Sequence, residues 1–260
     1  MNLRTPEEIS LLRDANQLVR AALDAVAAEI APGVTTGHLN AVAESVLSAA
    51  AAAPLFVGQR MPNVTLPFAA ATCVSVNEEI IHGVPGDREL LEGDIVSVDC
   101  GARLAGWCGD SARTWAVGSA DRASMRLMDT TREALDIAIS EIRPGRKWSE
   151  IARRIQALAE RSGFGVVRDF GGHGVGRELH EPPHVPNYSD DMFRRKGPPD
   201  FTLQPGLVIA VEPMLTAGTY RTEQSAPGEW PIVTRDRRRS AHFEHTLAVT
   251  DTGADVLSAY

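Results

Sequence analysis

Asp99 and Asp110 lie on the two arms of a predicted β-hairpin, residues 94–115, whose turn we place at residues 104–105. In that register the two aspartates form a cross-strand pair with both side chains on one face, an arrangement that is destabilising for like charges. Carboxylates held side by side must share a proton or a cation. Two surface acids on a solvated hairpin are the alternative, but the largely apolar residues 95–98 indicate a buried strand.

Two glutamates occupy similar positions later in the chain. Glu212 ends the apolar run at residues 207–211, and Glu244 lies within residues 241–249, which we predict to form another strand. A charged carboxylate on a buried strand costs free energy unless a partner compensates its charge. Four such carboxylates brought together would repel one another strongly, so the sequence predicts that cations accompany them.

His173 and His180 lie in a glycine-rich bend, residues 171–180, where glycines let the backbone approach a site closely. A lone histidine is more often a satisfied core or surface residue, but the glycines and the buried acids elsewhere favour a metal ligand at His173. One imidazole with several carboxylates suits a pair of borderline-to-hard divalent ions. Two such ions activate a water molecule for attack, which predicts hydrolysis.

The elements that would position these residues occur twice along the chain. Residues 22–33 match residues 134–145, and residues 93–99 match residues 206–212, at offsets of 112 and 113 residues. Each half is therefore predicted to contain two helices and then a strand that ends in a carboxylate. These matches indicate a duplicated α+β half folded about a pseudo-two-fold axis, with a shared site between the halves.

Local signals place the helices. A capping box that begins at Thr5, followed by apolar residues at helical spacing, predicts a first helix that ends before Pro32. The other predicted elements are helices at residues 36–53, 121–142 and 147–162, a strand at residues 72–76, and a loop near the mouth of the site at residues 190–200.

The composition is that of an ordinary globular protein and argues against several classes of partner. The chain has 260 residues, 43% of them hydrophobic, which is enough for one large domain. A net charge of −8 argues against nucleic acid or an acidic membrane as a partner. We recognise no signal peptide or membrane span, and three scattered cysteines indicate a reduced, cytoplasmic protein. We expect a monomer.

The ordered motifs resemble those of the type I methionine aminopeptidases. The resemblance extends from about residue 5 to residue 255, and the matching segments are residues 75–85, 98–99, 109–110, 172–182, 211–214 and 243–246. It implies the α+β pita-bread fold of the creatinase and aminopeptidase family, in which helices cover an antiparallel sheet with internal pseudo-two-fold symmetry. One catalytic domain would span residues 1–260, with halves at about 5–118 and 119–255.

The resemblance also implies an activity. It predicts a dinuclear metallohydrolase, a methionyl aminopeptidase, that removes the N-terminal methionine from nascent proteins and peptides when the second residue is small. The cofactors would be two divalent ions of cobalt, manganese, iron or zinc. Prolidases and aminopeptidase P carry a large extra N-terminal domain, and type II enzymes carry an insertion between the positions of His173 and Glu212. We expect neither feature here.

The resemblance to type I methionine aminopeptidases also implies a role for each candidate metal ligand. Asp99 would bind one metal ion, and His173 and Glu212 would bind the other. Asp110 and Glu244 would bridge both ions.

Three residues would act on the substrate. Glu212 would transfer protons during hydrolysis. His180 would steady the tetrahedral oxyanion in the manner of an oxyanion hole. His82 would contact the substrate near its N-terminal methionine.

The predicted methionine pocket departs from the family pattern at residues 58–73, where the usual upstream aromatic residue has no clear match. Phe68 and Cys73 are expected to keep their places in the pocket. Leu179 stands where relatives often carry a bulkier side chain, and Trp230 would form a wall.

Two further features leave alternatives open. Cys108 stands where relatives usually have histidine, on the same strand face as Asp110. It would either lie at the edge of the metal site and make it sensitive to oxidation, or only pack, which we favour. The basic residues 235–239 would either contact the ribosome or form a solvated turn, which we also favour.

Two other functions compete with the main prediction. A related metal-dependent peptidase with a shifted first-residue preference would fit the altered pocket segment, and peptide libraries that vary the first residue would distinguish it. A non-catalytic binding protein on the same fold would typically lose ligands. All five ligand positions and both histidines are filled here, which argues against it.

Overall fold

A computed structural model describes residues 1–189, 197 and 199–259. Most of the predicted loop at residues 190–200 lies outside this part of the chain. The helices of the described part are α1 (Pro6–Glu29), α2 (Thr36–Ala49), α3 (Arg122–Glu141) and α4 (Trp148–Arg161). All four predicted helices are therefore confirmed, although α2 is shorter than expected.

Helix α1 begins as its sequence predicts. The backbone N–H of Glu8 donates to the hydroxyl oxygen of Thr5 over 3.3 Å, and the Glu8 carboxylate accepts the backbone N–H of Thr5 over 3.1 Å. Pro6 stands at the first helical position, where its missing N–H costs nothing. The apolar face of the helix, which includes Leu12 and Val19, is fully buried.

Helix α2 ends at Ala49, although the sequence predicted residue 53. Ala51 adopts a left-handed φ of 52°, which a helix does not tolerate. Pro54 follows, and the residue before a proline disfavours helical geometry. The chain instead forms a short strand at Ala53–Pro54 that pairs with Ala102 and Arg103.

The strands are numbered in chain order. In the described part they are β1 (Ala53–Pro54), β2 (Thr72–Val76), β3 (Glu79–Ile81), β4 (Ile95–Leu104), β5 (Trp107–Ala116), β6 (Gly165–Val166), β7 (Gly172–Gly174), β8 (Glu181–Val185), β9 (Val208–Val211), β10 (Met214–Thr216), β11 (Thr222–Gln224), β12 (Ile232–Thr234), β13 (Ser240–His242), β14 (His245–Val249) and β15 (Ala254–Val256).

The named strands pair in antiparallel fashion. One sheet has the order β1-β4-β2, with β5 also paired to β4, and a second has the order β15-β14-β9-β7-β8. Two smaller sheets have the orders β13-β10-β6 and β11-β12-β3. The two larger sheets carry most of the residues predicted to bind metal.

Helices cover these sheets, and apolar side chains fill the space between them. Helix α1 packs on β4 and β5, α2 packs on α1 and β2, and α3 packs on α4 and β13. One buried apolar cluster comes from residues 19–117. A second comes from residues 127–249 together with Ile95. Within the described residues, none of the helices has the length and apolarity needed to cross a bilayer.

Candidate metal centre

The predicted ligands lie on strands or directly beside strands of two sheets. Asp99 is in β4, Asp110 in β5 and His173 in β7. Glu212 directly follows β9, and Glu244 lies between β13 and β14. The prediction that Glu244 lies inside one continuous strand is wrong. The pairing breaks there because β13 pairs with β10 while β14 pairs with β9, so the chain passes from one sheet to another.

Hydrogen bonds join the two larger sheets at this crossing. The backbone N–H of Glu244 donates to the carbonyl oxygen of Ala112 over 2.8 Å. The Ser111 hydroxyl donates to the carbonyl oxygen of Glu244 over 2.7 Å, and the Thr246 hydroxyl donates to that of Asp110 over 2.8 Å. These bonds hold the backbones of Asp110 and Glu244 side by side.

The hairpin register differs from the predicted one by two residues. The chain turns at residues 105–106, whose φ angles of 49° and 82° suit a two-residue type I′ turn. Asp99 therefore pairs with Ala112, and Asp110 pairs with Gly101. The predicted direct pairing of the two aspartates is wrong. A displacement of two residues leaves every side chain on its original face, so both carboxylates still line the same cavity.

His173 lies among the carboxylates. One oxygen of Asp110, one oxygen of Glu244 and a ring nitrogen of His173 lie within 4.8 Å of one another. Nε2 of His173 is 3.6 Å from Oδ2 of Asp110 and 3.7 Å from Oε1 of Glu212. Nδ1 lies 3.0 Å from the carbonyl oxygen of Gly174. Because a carbonyl oxygen can only accept a hydrogen bond, Nδ1 must carry the proton and donate it. The Nε2 lone pair then faces the carboxylates, as in metal-binding histidines.

Burial disfavours the charged forms of the four carboxylates. It raises the pKa of Asp99 to about 7, and together with the charge of Asp99 it raises the pKa of Glu212 to about 8. Burial first, and then repulsion from the neighbouring carboxylates, raises the pKa of Asp110 and of Glu244 well above the ordinary range. Without cations, the cluster would therefore retain protons near neutral pH.

Several oxygens of this cluster are buried without a hydrogen-bond partner in the described part of the chain. They are Oδ1 of Asp99, Oδ1 of Asp110 and Oε1 of Glu244. Leaving a buried acceptor unsatisfied costs about 1–3 kcal/mol. A set of carboxylates with one imidazole is suited to divalent ions, which would satisfy these oxygens. The residues present therefore fit divalent metal binding.

Two further histidines face the same cavity. The ring centre of His180 lies 4.3 Å from that of His173. Burial lowers the pKa of His180, and burial together with the nearby His180 lowers the pKa of His82 to about 4. Both rings are therefore neutral at physiological pH, so each can donate one hydrogen bond and accept another.

An aromatic wall adjoins the carboxylates in a cavity of about 290 Å³. Phe68 and Trp230 meet edge to face with their ring centres 5.2 Å apart. The indole N–H of Trp230 donates to the carbonyl oxygen of Leu66 over 2.8 Å. Cys73 and Leu179 are buried and line the same space. Every site residue predicted from the sequence lines this cavity.

Several residues that line the cavity were not predicted from the sequence. The apolar ones among them are Phe56, Met61, Ile81 and Phe170. Among these, only Phe170 carried a signal, because it directly precedes the glycine-rich bend. Also missed was His242, a buried residue whose position two residues before Glu244 was a usable signal.

The structure favours the packing explanation for Cys108. Its side chain is fully buried in an apolar cluster that includes Leu12 and Trp107. The thiol donates to the carbonyl oxygen of Arg177 over 3.4 Å. Cys108 is not among the described residues that line the cavity.

The sequence profile of metallopeptidase family M24 matches residues 10–251. This chain belongs to metallopeptidase family M24. This chain is 41% identical over 255 residues to methionine aminopeptidase 1 of Bacillus subtilis, and the alignment covers 98% of each of the two chains. Membership of this family and the candidate cluster of Asp110, His173 and Glu244 together confirm divalent metal ions as the expected cofactors.

Solved structures of M24 proteins confirm the predicted pita-bread fold. The crystal structure of methionine aminopeptidase from Rickettsia prowazekii matches with a TM-score of 0.92 at 34% identity and covers 100% of both chains. The Xaa-Pro dipeptidase of Bacillus anthracis matches with a TM-score of 0.74 at 23% identity, over 99% of this chain and 62% of that one. At this identity, the similarity to the dipeptidase supports a shared fold and says nothing about a shared activity.

Proposed function

We propose that this chain is a metal-dependent aminopeptidase that removes the N-terminal methionine from nascent proteins and peptides when the second residue is small. One observation carries the proposal: a buried cluster of carboxylates around His173 shares a cavity with apolar and aromatic side chains. The names of the curated relatives support the methionine specificity. The preference for a small second residue is what the resemblance to type I enzymes implies.

Five residues would hold two divalent ions. Asp99 would bind one ion, and His173 with Glu212 the other, while Asp110 and Glu244 would bridge them. Their burial, their unsatisfied oxygens and their raised carboxyl pKa values support this assignment. When bound, such ions polarise a carbonyl group and make water nucleophilic near neutral pH.

Three residues of the chain would carry out the steps that the metal ions do not. Glu212 lies 3.7 Å from Nε2 of His173 and lines the cavity, so its carboxylate is placed to transfer protons at the reacting centre, as the resemblance implies. Neutral His180, next to His173, would donate a hydrogen bond to the carbonyl oxygen as negative charge develops there. His82 lies against Trp230, with ring centres 5.9 Å apart, and would contact the substrate backbone beside the bound side chain.

The side chain of the substrate's N-terminal methionine would pack against the apolar wall of the cavity. Burying a side chain of this size contributes about 1.5–3 kcal/mol. The thioether sulfur also makes favourable contacts with aromatic rings, here those of Phe68 and Trp230. Cys73 and Leu179 would close the rest of the pocket.

The setting of the enzyme is part of the proposal. Its macromolecular partners would be nascent polypeptide N-termini in the cytoplasm, and it would act as a monomer. The basic residues 235–239 are mostly exposed, which supports the solvated turn that we favour there over a transient ribosome contact. We also propose two halves, at about 5–118 and 119–255, that share the site. A helix pair followed by paired antiparallel strands in each half supports this division.

Release of methionine from defined peptides tests the proposed function. Metal-free protein would be reloaded with manganese or cobalt and given Met-Ala-Ser or Met-Lys-Ser. The proposal predicts rapid, metal-dependent release from the first peptide and little from the second. A peptide library that varies the first residue would distinguish a related peptidase with a shifted preference. Absence of any cleavage with both metals bound would favour a non-catalytic protein.

A further inference from the structure

His242 is a buried imidazole that the proposed chemistry has not used. His242 is the last residue of β13, lies opposite Met214 in β10 and is only 2% exposed to solvent. Its Nε2 has no hydrogen-bond partner within the described residues. A buried ring nitrogen without a partner is costly, so this one calls for an explanation.

Two hydrogen bonds with one threonine hold the backbone of His242. Its N–H donates to the hydroxyl oxygen of Thr114 over 2.9 Å, and the same hydroxyl donates to its carbonyl oxygen over 2.7 Å. Thr114 belongs to β5, the strand that carries Asp110. The position of the imidazole is thereby tied to the strand that supplies a metal ligand.

The unpartnered nitrogen faces Glu212. Nε2 of His242 lies 3.8 Å from Oε2 of Glu212, while Nε2 of His173 lies 3.7 Å from Oε1 of the same carboxylate. The carboxylate therefore stands between two imidazoles, one for each oxygen. The Nε2 lone pair of His173 is directed at the metal site, which leaves His242 as the ring able to donate an N–H to Glu212.

His242 is not among the described residues that line the cavity. It approaches Glu212 from the protein interior, so it can orient the carboxylate without touching a substrate. Partners of this kind hold metal ligands in their binding orientation, and their loss typically weakens metal binding by about 10–100-fold. The separation of 3.8 Å is longer than a hydrogen bond, and a small shift of either side chain would bring the two atoms to about 2.9 Å.

We propose that His242 is a positioning residue, whose Nε2–H donates to Oε2 of Glu212 and holds that carboxylate in the orientation needed for metal binding and proton transfer. The inference rests on the role proposed for Glu212. It assigns no contact between His242 and the substrate.

Two variants of the full-length protein test the proposal. His242→Leu fills a similar volume and removes the donor, whereas His242→Gln keeps an N–H donor of similar reach. Manganese binding to the metal-free proteins would be measured by calorimetry, and kcat and KM would be measured with Met-Ala-Ser. We expect His242→Leu to bind manganese about 10–100-fold more weakly and to lose kcat with little change in KM, while His242→Gln stays near wild type.

Either of two results would overturn the proposal. One is a His242→Leu protein that binds manganese as tightly as wild type. The other is a His242→Gln protein that loses as much affinity as the leucine variant, which would indicate a packing role alone. If wild type itself bound no manganese, the proposed function would fail instead, so the two failures are distinguishable.

A measurement on the wild-type protein covers the case in which His242→Leu does not fold. Nitrogen-15 NMR of the zinc-loaded, histidine-labelled protein reports which ring nitrogen carries the proton. The signal of His242 would be identified by its absence from the His242→Gln spectrum. A proton on Nε2 is the expected result, and a proton on Nδ1 with a bare Nε2 would overturn the proposal.

Discussion

Gly101 is the cross-strand partner of Asp110, and a β-carbon built on Gly101 would stand 3.4 Å from Oδ1 of that aspartate. The same β-carbon would lie 2.9 Å from Cε1 of Phe56, closer than real contacts allow. The absence of a side chain at residue 101 therefore leaves room for the Phe56 ring, which lines the cavity together with the Asp110 carboxylate.

Gly101→Ala should therefore disturb both the fold and the metal site. We expect a loss of about 1–3 kcal/mol in the free energy of unfolding, as for other overpacked positions, together with weaker manganese binding. Gly86→Ala is the matched control, because a β-carbon there would meet no atom within 4 Å. Denaturant unfolding and calorimetry measure the two effects. Equal behaviour of both variants would contradict this interpretation.

The stability of the metal-free protein should fall as the pH rises from about 6.5 to 8. The pKa values of about 7 for Asp99 and about 8 for Glu212 exceed the ordinary carboxyl range. The folded protein therefore holds protons that the unfolded chain has already released. Each such proton lowers the free energy of unfolding by about 1.4 kcal/mol per pH unit until the pH reaches the pKa of its group, about 7 for Asp99 and about 8 for Glu212.

The buried histidines act in the opposite direction, but at lower pH. Burial lowers the pKa of His82 and of His173 from 6.5 to about 4, so their contribution to stability is lost as the pH falls below about 6.5. Thermal unfolding at several pH values, with and without manganese, separates the effects. Bound metal should flatten the slope above pH 6.5. A metal-free protein whose stability rises between about pH 6.5 and 8 would contradict the carboxyl pKa shifts.

Glu244→Gln should abolish metal-dependent activity without destabilising the metal-free protein. The substitution removes a proposed bridging ligand and also removes one of four mutually repelling carboxylates. Loss of several kcal/mol of metal-derived stabilisation corresponds to about a 100-fold or greater fall in kcat/KM. The thermal midpoint of the metal-free variant should equal or exceed that of wild type. Retention of near wild-type activity would show that Glu244 is not a ligand.

Trp230→Ala should weaken recognition of methionine and leave metal binding intact. It removes the edge-to-face contact with Phe68 and one wall of the cavity. Losing about 1.5–3 kcal/mol of side-chain burial predicts a fall of about 10–100-fold in kcat/KM for Met-Ala-Ser. Trp230→Phe, which keeps an aromatic ring, although a smaller one, and loses the N–H bond to Leu66, is the control. Equal losses in both variants would point to the loop at residue 66 instead of the wall.

Much of the fold was predictable because its signals are local. The capping box at Thr5 and the apolar spacing that follows it specify α1 without reference to any other element. The strand at Thr72–Val76 was likewise predicted with its observed bounds. The end of α2 was not predicted, because the short strand β1 that follows the helix pairs with β4, which is distant in the sequence. Such long-range pairing leaves little signal in the local sequence.

The site was predictable in its residues but not in its detailed pairing. The turn at residues 105–106 depends on two left-handed φ angles, and only Gly106 signals one in the sequence. The register was therefore misplaced by two, while the strand period of two still put Asp99 and Asp110 on one face. His242 was missed although it stands two residues before Glu244, because its closeness to Glu212 depends on the passage of the chain between two sheets.

A manganese titration of the metal-free protein, with bound metal and methionine release from Met-Ala-Ser recorded together, tests whether this chain is a metal-dependent aminopeptidase. We expect no release without metal, activity that rises as manganese binds, and saturation with no more than two ions per chain. Methionine release by the metal-free protein, or a chain that binds two ions and leaves the peptide intact, would show that the proposed function is wrong.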